Sequence, residues 1–237
     1  MRAPHPNAFS IIGKSLLAKL PNHWLLSLRA LRARNLIKRG KFHAGEPEFD
    51  LLSDWLRPGD WALDIGANIG TYSIRMSHLV GDDGRVIAFE PVLETFSLLT
   101  SNLIYAGCRN VTAINAAASN KVSVLEMRIP LLSSGLENHY QATIASAGQN
   151  TKDRAIRTMA LKVGTLGLEH RIALVKVDAE GHEHFVLEGM RDVIVRDRPV
   201  LVLETTGDPV EEWLLGLGYR IQRFHRSPNT VFIPSET

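Results

Sequence analysis

From residue 46 onward, apolar runs of strand length alternate with helical stretches, and this alternation constrains the fold more than any other feature of the chain. "WALDI" (61–65) reads as a buried strand, "GTYSIRMSHLV" as a helix, "RVIAFE" (85–90) as a second strand, and "PVLETFSLLTSNLIYAG" as a helix closing at Gly107. "NVTAINAA", "IALVKVD" (172–178) and "PVLVLE" (199–204) read as third, fourth and fifth strands, the last two followed by helices "EHFVLEGMRDVI" and "DPVEEWLLGLG". Strands separated by helices imply an α/β fold with a mainly parallel, doubly wound sheet. "YRIQRF" and "NTVFIP", joined by "HRSPN", add an antiparallel hairpin at one edge. Residues 119–170 are less regular, with a hairpin strand "KVSVLEMRI" and a polar stretch that reads as a loop or lid.

The start of the chain has another texture. Nine basic and no acidic residues precede Glu46, so the remainder holds 18 basic against 25 acidic residues, a balance of −7 within an overall +2. Residues 8–39 read as one or two helices interrupted at Pro21-Asn22, with Asn22 as an N-cap. Leu25, Leu28, Arg29, Arg32 and Leu36 share one side, so the faces are not cleanly separated. A packing helix or partner-docking arm is favoured over a membrane-surface helix, which stays open as a docking role. No apolar run approaches the roughly 20 residues of a bilayer span. The single cysteine, Cys108, cannot form an internal disulfide, so the expected location is the cytoplasm, with membrane association open. The acidic balance from residue 46 onward also disfavours a nucleic-acid groove.

Open α/β sheets bind ligands beyond the carboxyl ends of their strands, where three acids stand: Asp64, Glu90 and Asp178. Each has a capping role as its plain alternative. A dinucleotide turn reads G-x-G-x-x-G, whereas this one reads Asp64-Ile65-Gly66-Ala67-Asn68-Ile69-Gly70. Asn68 replaces the second glycine and Asp64 brings negative charge, and both disfavour a pyrophosphate. They suit a ligand with an ammonium group and a cationic sulfur, which describes S-adenosylmethionine. Glu90 is suited to accept hydrogen bonds from both ribose hydroxyls, although dinucleotide folds carry a similar acid.

"DIGANIGTYS", then "AFEP", then "VKVDAEGHEHFVLEG" resemble, in order, the motifs of the FkbM-type S-adenosylmethionine-dependent methyltransferases, over about residues 45–205. The resemblance implies a Rossmann-like, seven-stranded, mainly parallel sheet completed by the C-terminal antiparallel hairpin. With the change of texture near residue 46, the expected division is a basic helical extension, 1–44, and a methyltransferase domain, 45–237. The resemblance also implies that Asp64, Gly66, Ala67, Asn68 and Gly70 shape the methionine side of the cofactor pocket, that Glu90 holds the ribose with Pro91 beginning the next helix, and that Asn115 to Ala117 lie near the adenine.

Methyl transfer to a hydroxyl is an in-line displacement that needs alignment and a group to take up a proton. Asp178 ends the fourth strand, with Glu180 and His182 following within a turn. Three roles stand open for them: action on the acceptor hydroxyl, binding of a divalent metal, or capping of the next helix. His182 and His184, spaced i, i+2, do not share a helix face, so metal ranks below acid/base work and none is expected. Lys176 is a partner for one of these acids or a flank of the core. Glu204, and His139 with Tyr140 in the polar stretch, are secondary candidates. The expected function is O-methylation of a sugar, glycan or polyketide-type natural product. The rivals are a NAD-dependent oxidoreductase and a non-catalytic protein that docks through its basic arm.

Overall fold

The computed structural model describes residues 22–132, 137–145, 153–204 and 207–235. The helical reading of 8–21, the capping side chain of Asn22, and parts of the polar stretch (133–136 and 146–152) lie outside the described residues. In chain order the elements are α1 (Asn22–Lys38), a 3-10 turn (Pro47–Phe49), α2 (Leu52–Trp55), β1 (Trp61–Ile65), α3 (Thr71–Val80), β2 (Arg85–Phe89), α4 (Leu93–Ala106) and β3 (Val111–Ile114). β4 (Ala117–Ser119), β5 (Ser123–Ile129), β6 (Thr143–Ile144) and β7 (Arg154–Lys162) follow, with 3-10 turns at His139–Gln141 and Val163–Thr165. The chain continues with β8 (Ile172–Val177), α5 (Glu183–Gly189), α6 (Arg191–Asp197), β9 (Val200–Glu204), α7 (Asp208–Gly216), β10 (Tyr219–Arg223) and β11 (Asn229–Pro234).

The main sheet has seven strands in the order β10-β11-β9-β8-β1-β2-β3. β3, β2, β1, β8 and β9 are parallel, and β1 stands at the point where the strand order reverses. Both faces are covered, which explains the unbroken apolar runs. Leu63, Ile65, Phe89, Val175 and Val177 pack against α5, α6 and α7, while Ala62, Val86, Leu174 and Val202 meet Leu52, Tyr72 and Met76 on the other side. The terminal hairpin is antiparallel, but it is not simply added at the edge: β11 inserts between β9 and β10 and opposes both. Burial decides this order, since Asn229 to Phe232 are all buried, whereas in β10 only Tyr219 is.

Two sequence units divide in the structure. "NVTAINAA" yields β3 in the main sheet and β4 in a second one, of order β4-β7-β5-β6. "EHFVLEGMRDVI" becomes α5 and α6, broken at Met190. Gly189 lies so close to β4 that a Cβ there would sit 2.0 Å from the Ser119 carbonyl oxygen, so α5 and the second sheet meet backbone to backbone. α1 packs along α4, with Ile37 and the following Phe42 against Leu99 and Leu103, and Arg34 donating to Ser101 Oγ at 2.9 Å. Trp24, Leu28 and Leu31 are exposed on α1. Among the described residues no helix is long and apolar enough to cross a membrane.

Candidate active site

The turn after β1 is locked to its neighbours by the backbone. Gly66 and Ala67 donate to the Phe89 carbonyl at 3.0 and 2.8 Å, and Asp178 N–H donates to the Ile65 carbonyl at 2.9 Å. The carboxyl ends of β1, β2 and β8 are thereby laced together. Gly66 has φ +77°, and a Cβ on it would come within 1.8 Å of the Asp178 carbonyl oxygen, so no side chain fits. Asn68 takes φ +52°, a left-handed conformation that asparagine tolerates better than most residues. Gly70, at φ +92°, opens α3 against Leu99.

Asp64 lies behind this turn. It is fully buried, accepts a 2.5 Å hydrogen bond from Ser73 Oγ, and is absent from the cleft walls. Burial raises its pKa, against the opposing pull of Lys176 and Ser73. Asp64 therefore works from below the surface, anchoring the first turn of α3 through Ser73.

A cleft opens over the turn. Gly66, Asn68, Glu90, Pro91 and Ala117 line it, as do Asp178, Glu180 and His182. Ala67 faces an adjoining cleft instead. Asn115 is outside both, because its amide donates to the Glu90 carbonyl at 2.9 Å and the Pro91 carbonyl at 3.3 Å, holding the β2 loop from behind. Glu90 Oε2 accepts from Asn68 N–H and Oε1 from Val92 N–H, both at 2.9 Å, which fixes the carboxylate at two points. Burial outweighs these two donors and pushes its pKa up to about 7. Asn68 Oδ1 is buried and receives no hydrogen bond.

The far wall comes from the second sheet and the polar stretch beside it; of its residues the sequence singles out Ala116, within Asn115 to Ala117, and His139 with Tyr140. Ala116, Ala118, Met127, Ala142 and Ile144 supply apolar surface, and His139 and Tyr140 close over it. His139 is buried rather than solvated, and burial lowers its pKa. Arg154 holds the segment that carries it, pairing with Glu94 at 2.6 Å and Glu137 at 2.9 Å. The available signal was the alternating run "RAIRTMALK", which forms β7 and gives β5 a partner.

The titratable side chains at the ends of β8 and β9 take two directions. Asp178, Glu180 and Glu204 converge, with one oxygen from each within 4.8 Å of the others. Lys176, buried in β8, donates to Asp178 Oδ2 at 2.8 Å. Burial opposes ionisation of Asp178, but Lys176 and a hydrogen bond with Glu204 together carry its pKa below the ordinary value. Glu204 is pushed up to about 8, first by that hydrogen bond to Asp178 and then by burial. At neutral pH the pair therefore holds a carboxylate at Asp178 and a proton at Glu204. Glu180 is raised by burial and by Asp178. His182 turns away, with Nε2 2.9 Å from Ser119 Oγ and its ring stacked on Phe185, and burial lowers its pKa. Asp178, Glu204, Lys176 and Tyr72 line the adjoining cleft, which shares Asn68, Tyr140 and Asp178 with the first.

Residues 64–222 match the sequence profile of the methyltransferase FkbM domain. The chain is 27% identical over 200 residues to 31-O-demethyl-FK506 methyltransferase FkbM of Streptomyces tacrolimicus, covering 70% of this chain and 76% of that protein. It is 28% identical over 150 residues to hexuronic acid methyltransferase AglP of Haloferax volcanii, covering 61% of this chain and spanning only 55% of that relative. An 80-residue stretch, 34% of this chain, is 32% identical to protein-L-isoaspartate O-methyltransferase of Triticum aestivum and spans 31% of its length. The crystal structure of methyltransferase FkbM from Methylobacillus flagellatus KT shares the fold, with a TM-score of 0.52 at 17% identity over 86% of this chain and 59% of that one.

Proposed function

The chain belongs to the FkbM methyltransferase family, and on that premise we propose that it transfers a methyl group from S-adenosylmethionine to a hydroxyl of a sugar, glycan or polyketide-type natural product. The observation that carries this reading is Glu90, a carboxylate at the end of β2 whose two oxygens each accept one backbone N–H and keep further lone pairs for two ribose hydroxyls. The residues around it fit the rest of that cofactor. Pro91, Val92, Ala117, Met127 and Ile144 offer an apolar slot for an adenine, and Gly66 lines the cleft beside Asn68 and Asp178, where the methionine end would lie. Asn68 Oδ1, buried without a donor, suits an ammonium group.

When bound, the cofactor supplies an electrophilic methyl on a cationic sulfur. In this reading Asp178 accepts the proton of the acceptor hydroxyl, since Lys176 and Glu204 keep it ionised. Glu180 borders the reacting groups, and His182, neutral and tied to Ser119, positions the β8 loop beside the cofactor. Residues 1–44 form the extension and 45–237 the catalytic unit. AglP, by its name, methylates a hexuronic acid, which supports a sugar acceptor. Calorimetric titration tests the reading: S-adenosylhomocysteine binds at micromolar Kd, about 8 kcal/mol, and Glu90→Ala weakens it. No binding by the folded protein, or preference for NAD, refutes it.

A further inference from the structure

Beside the acceptor cleft lies a second, basic one that the mechanism does not use. Arg29 and Arg32 of α1 line it with Lys41, Thr71, Asn102 and Tyr140. Thr71 and Tyr140 also line the cleft that holds Asp178 and Glu204, so the two run into each other. Their linings differ in charge. Glu46, Asp178 and Glu204 border the first alongside Lys176, while among the described residues no carboxylate lines the second. His43, also on its wall, pairs with Asp50 at 2.8 Å. Among the described residues no carboxylate pairs with Arg29, Arg32 or Lys41, and the Arg29 guanidinium lies over the Tyr140 ring, 5.4 Å from its centre. Asn102, fully buried on the same wall, donates its amide to the Ile69 carbonyl at 2.9 Å, leaving its Oδ1 without a donor.

We propose that the acceptor carries an anionic group, a carboxylate or a phosphate, held by Arg29, Arg32 and Lys41 while its reacting hydroxyl lies at Asp178. This deepens the methyltransferase reading and rests on it. Three uncompensated cations in a concave wall favour an anion. The orphaned oxygen of Asn102 calls for a donor, which a second hydroxyl of the same molecule supplies. A sugar acid or a phosphorylated sugar has all three features. The basic arm then has a use inside the molecule: α1 closes one end of the acceptor site.

The test is titration of the full chain, saturated with S-adenosylhomocysteine, with glucuronate, glucose 6-phosphate and glucose. The charged sugars are expected to bind about tenfold more tightly than glucose at low salt, with the advantage shrinking as salt rises. Arg32→Gln/Lys41→Gln should abolish that advantage and leave S-adenosylhomocysteine affinity intact, which also verifies folding. The stronger of the two charged sugars identifies carboxylate or phosphate as the source. Equal binding of charged and neutral sugars, no binding of either charged sugar, or an advantage retained by the double variant overturns the proposal. So does loss, in that variant, only of binding to phosphatidylglycerol vesicles, which would assign these cations to a membrane surface. Should S-adenosylhomocysteine itself not bind, the methyltransferase reading has failed, and the same sugar titrations without it still decide the anion subsite.

Discussion

Glu90 makes cofactor affinity a function of pH, and the size of the effect follows from its surroundings. Burial raises its pKa to about 7 against the two N–H donors from Val92 and Asn68. Two ribose hydroxyls donating to the carboxylate favour the ionised form, so binding releases a proton wherever free Glu90 is protonated. With a pKa of about 7 the free group is about nine-tenths ionised at pH 8 and about one-tenth at pH 6. The Kd for S-adenosylhomocysteine should therefore weaken about tenfold from pH 8 to pH 6, about 1.4 kcal/mol. Calorimetry in buffers of different ionisation enthalpy should show about 0.9 proton released at pH 6 and about 0.1 at pH 8. Other titratable groups around the clefts need control. Burial lowers the pKa of His139 and His182 and raises that of Glu180, and Glu204→Gln removes the group that titrates near 8. Glu90→Gln should bind about 30-fold more weakly at pH 8, because a neutral amide replaces the charged acceptors of the two ribose hydroxyls, at a cost of about 2 kcal/mol. It should also lose the pH dependence. A wild-type Kd that changes less than about twofold over the range, or a slope that survives in Glu90→Gln, would refute the reasoning.

Three further outcomes are expected. Gly66→Ala should lower stability by about 3 kcal/mol or more, visible as a thermal midpoint lowered by about 6–12 °C, because the added carbon collides with the Asp178 carbonyl oxygen. Asp178→Asn should reduce kcat by about 10²–10⁴-fold while S-adenosylhomocysteine affinity changes less than about threefold, read by single-turnover transfer and calorimetry; an unchanged kcat removes Asp178 as the base. Arg154→Ala frees Glu94 and Glu137 and loosens the turn that carries His139 and Tyr140, so S-adenosylhomocysteine should bind about fivefold more weakly with little change in the thermal midpoint.

The α/β class and the positions of β1, β2, β8 and β9 were legible because strands covered on both faces are apolar at nearly every position, and such runs stand out between helices. "WALDI" coincides with β1 for this reason. The glycine turn was legible for a second local cause, since φ values above zero and close backbone approach leave few residue types to choose from. The second sheet was legible only at β5, inside the run "KVSVLEMRI". β5 and β7 are only partly buried, so their alternation is diluted by polar residues, and "NVTAINAA" gives no sign that the chain changes sheets after Ile114.

For the site, the sequence alone determined which chemical groups stand at the strand ends: Asp64, Glu90 and Asp178 are placed there by strand length and turn chemistry. Tertiary structure decided what each does. Asp64 sinks beneath the turn because Ser73 reaches it, Glu90 reaches the cleft because Asn68 and Val92 hold it, and Asn115 is spent on a carbonyl. Asp178 gains Glu204, 26 residues away, because parallel β8 and β9 end side by side, and it loses His182 to Ser119, 63 residues upstream. Local sequence encodes backbone conformation and burial, but the charge state of a carboxyl depends on neighbours brought close only by the packed sheet.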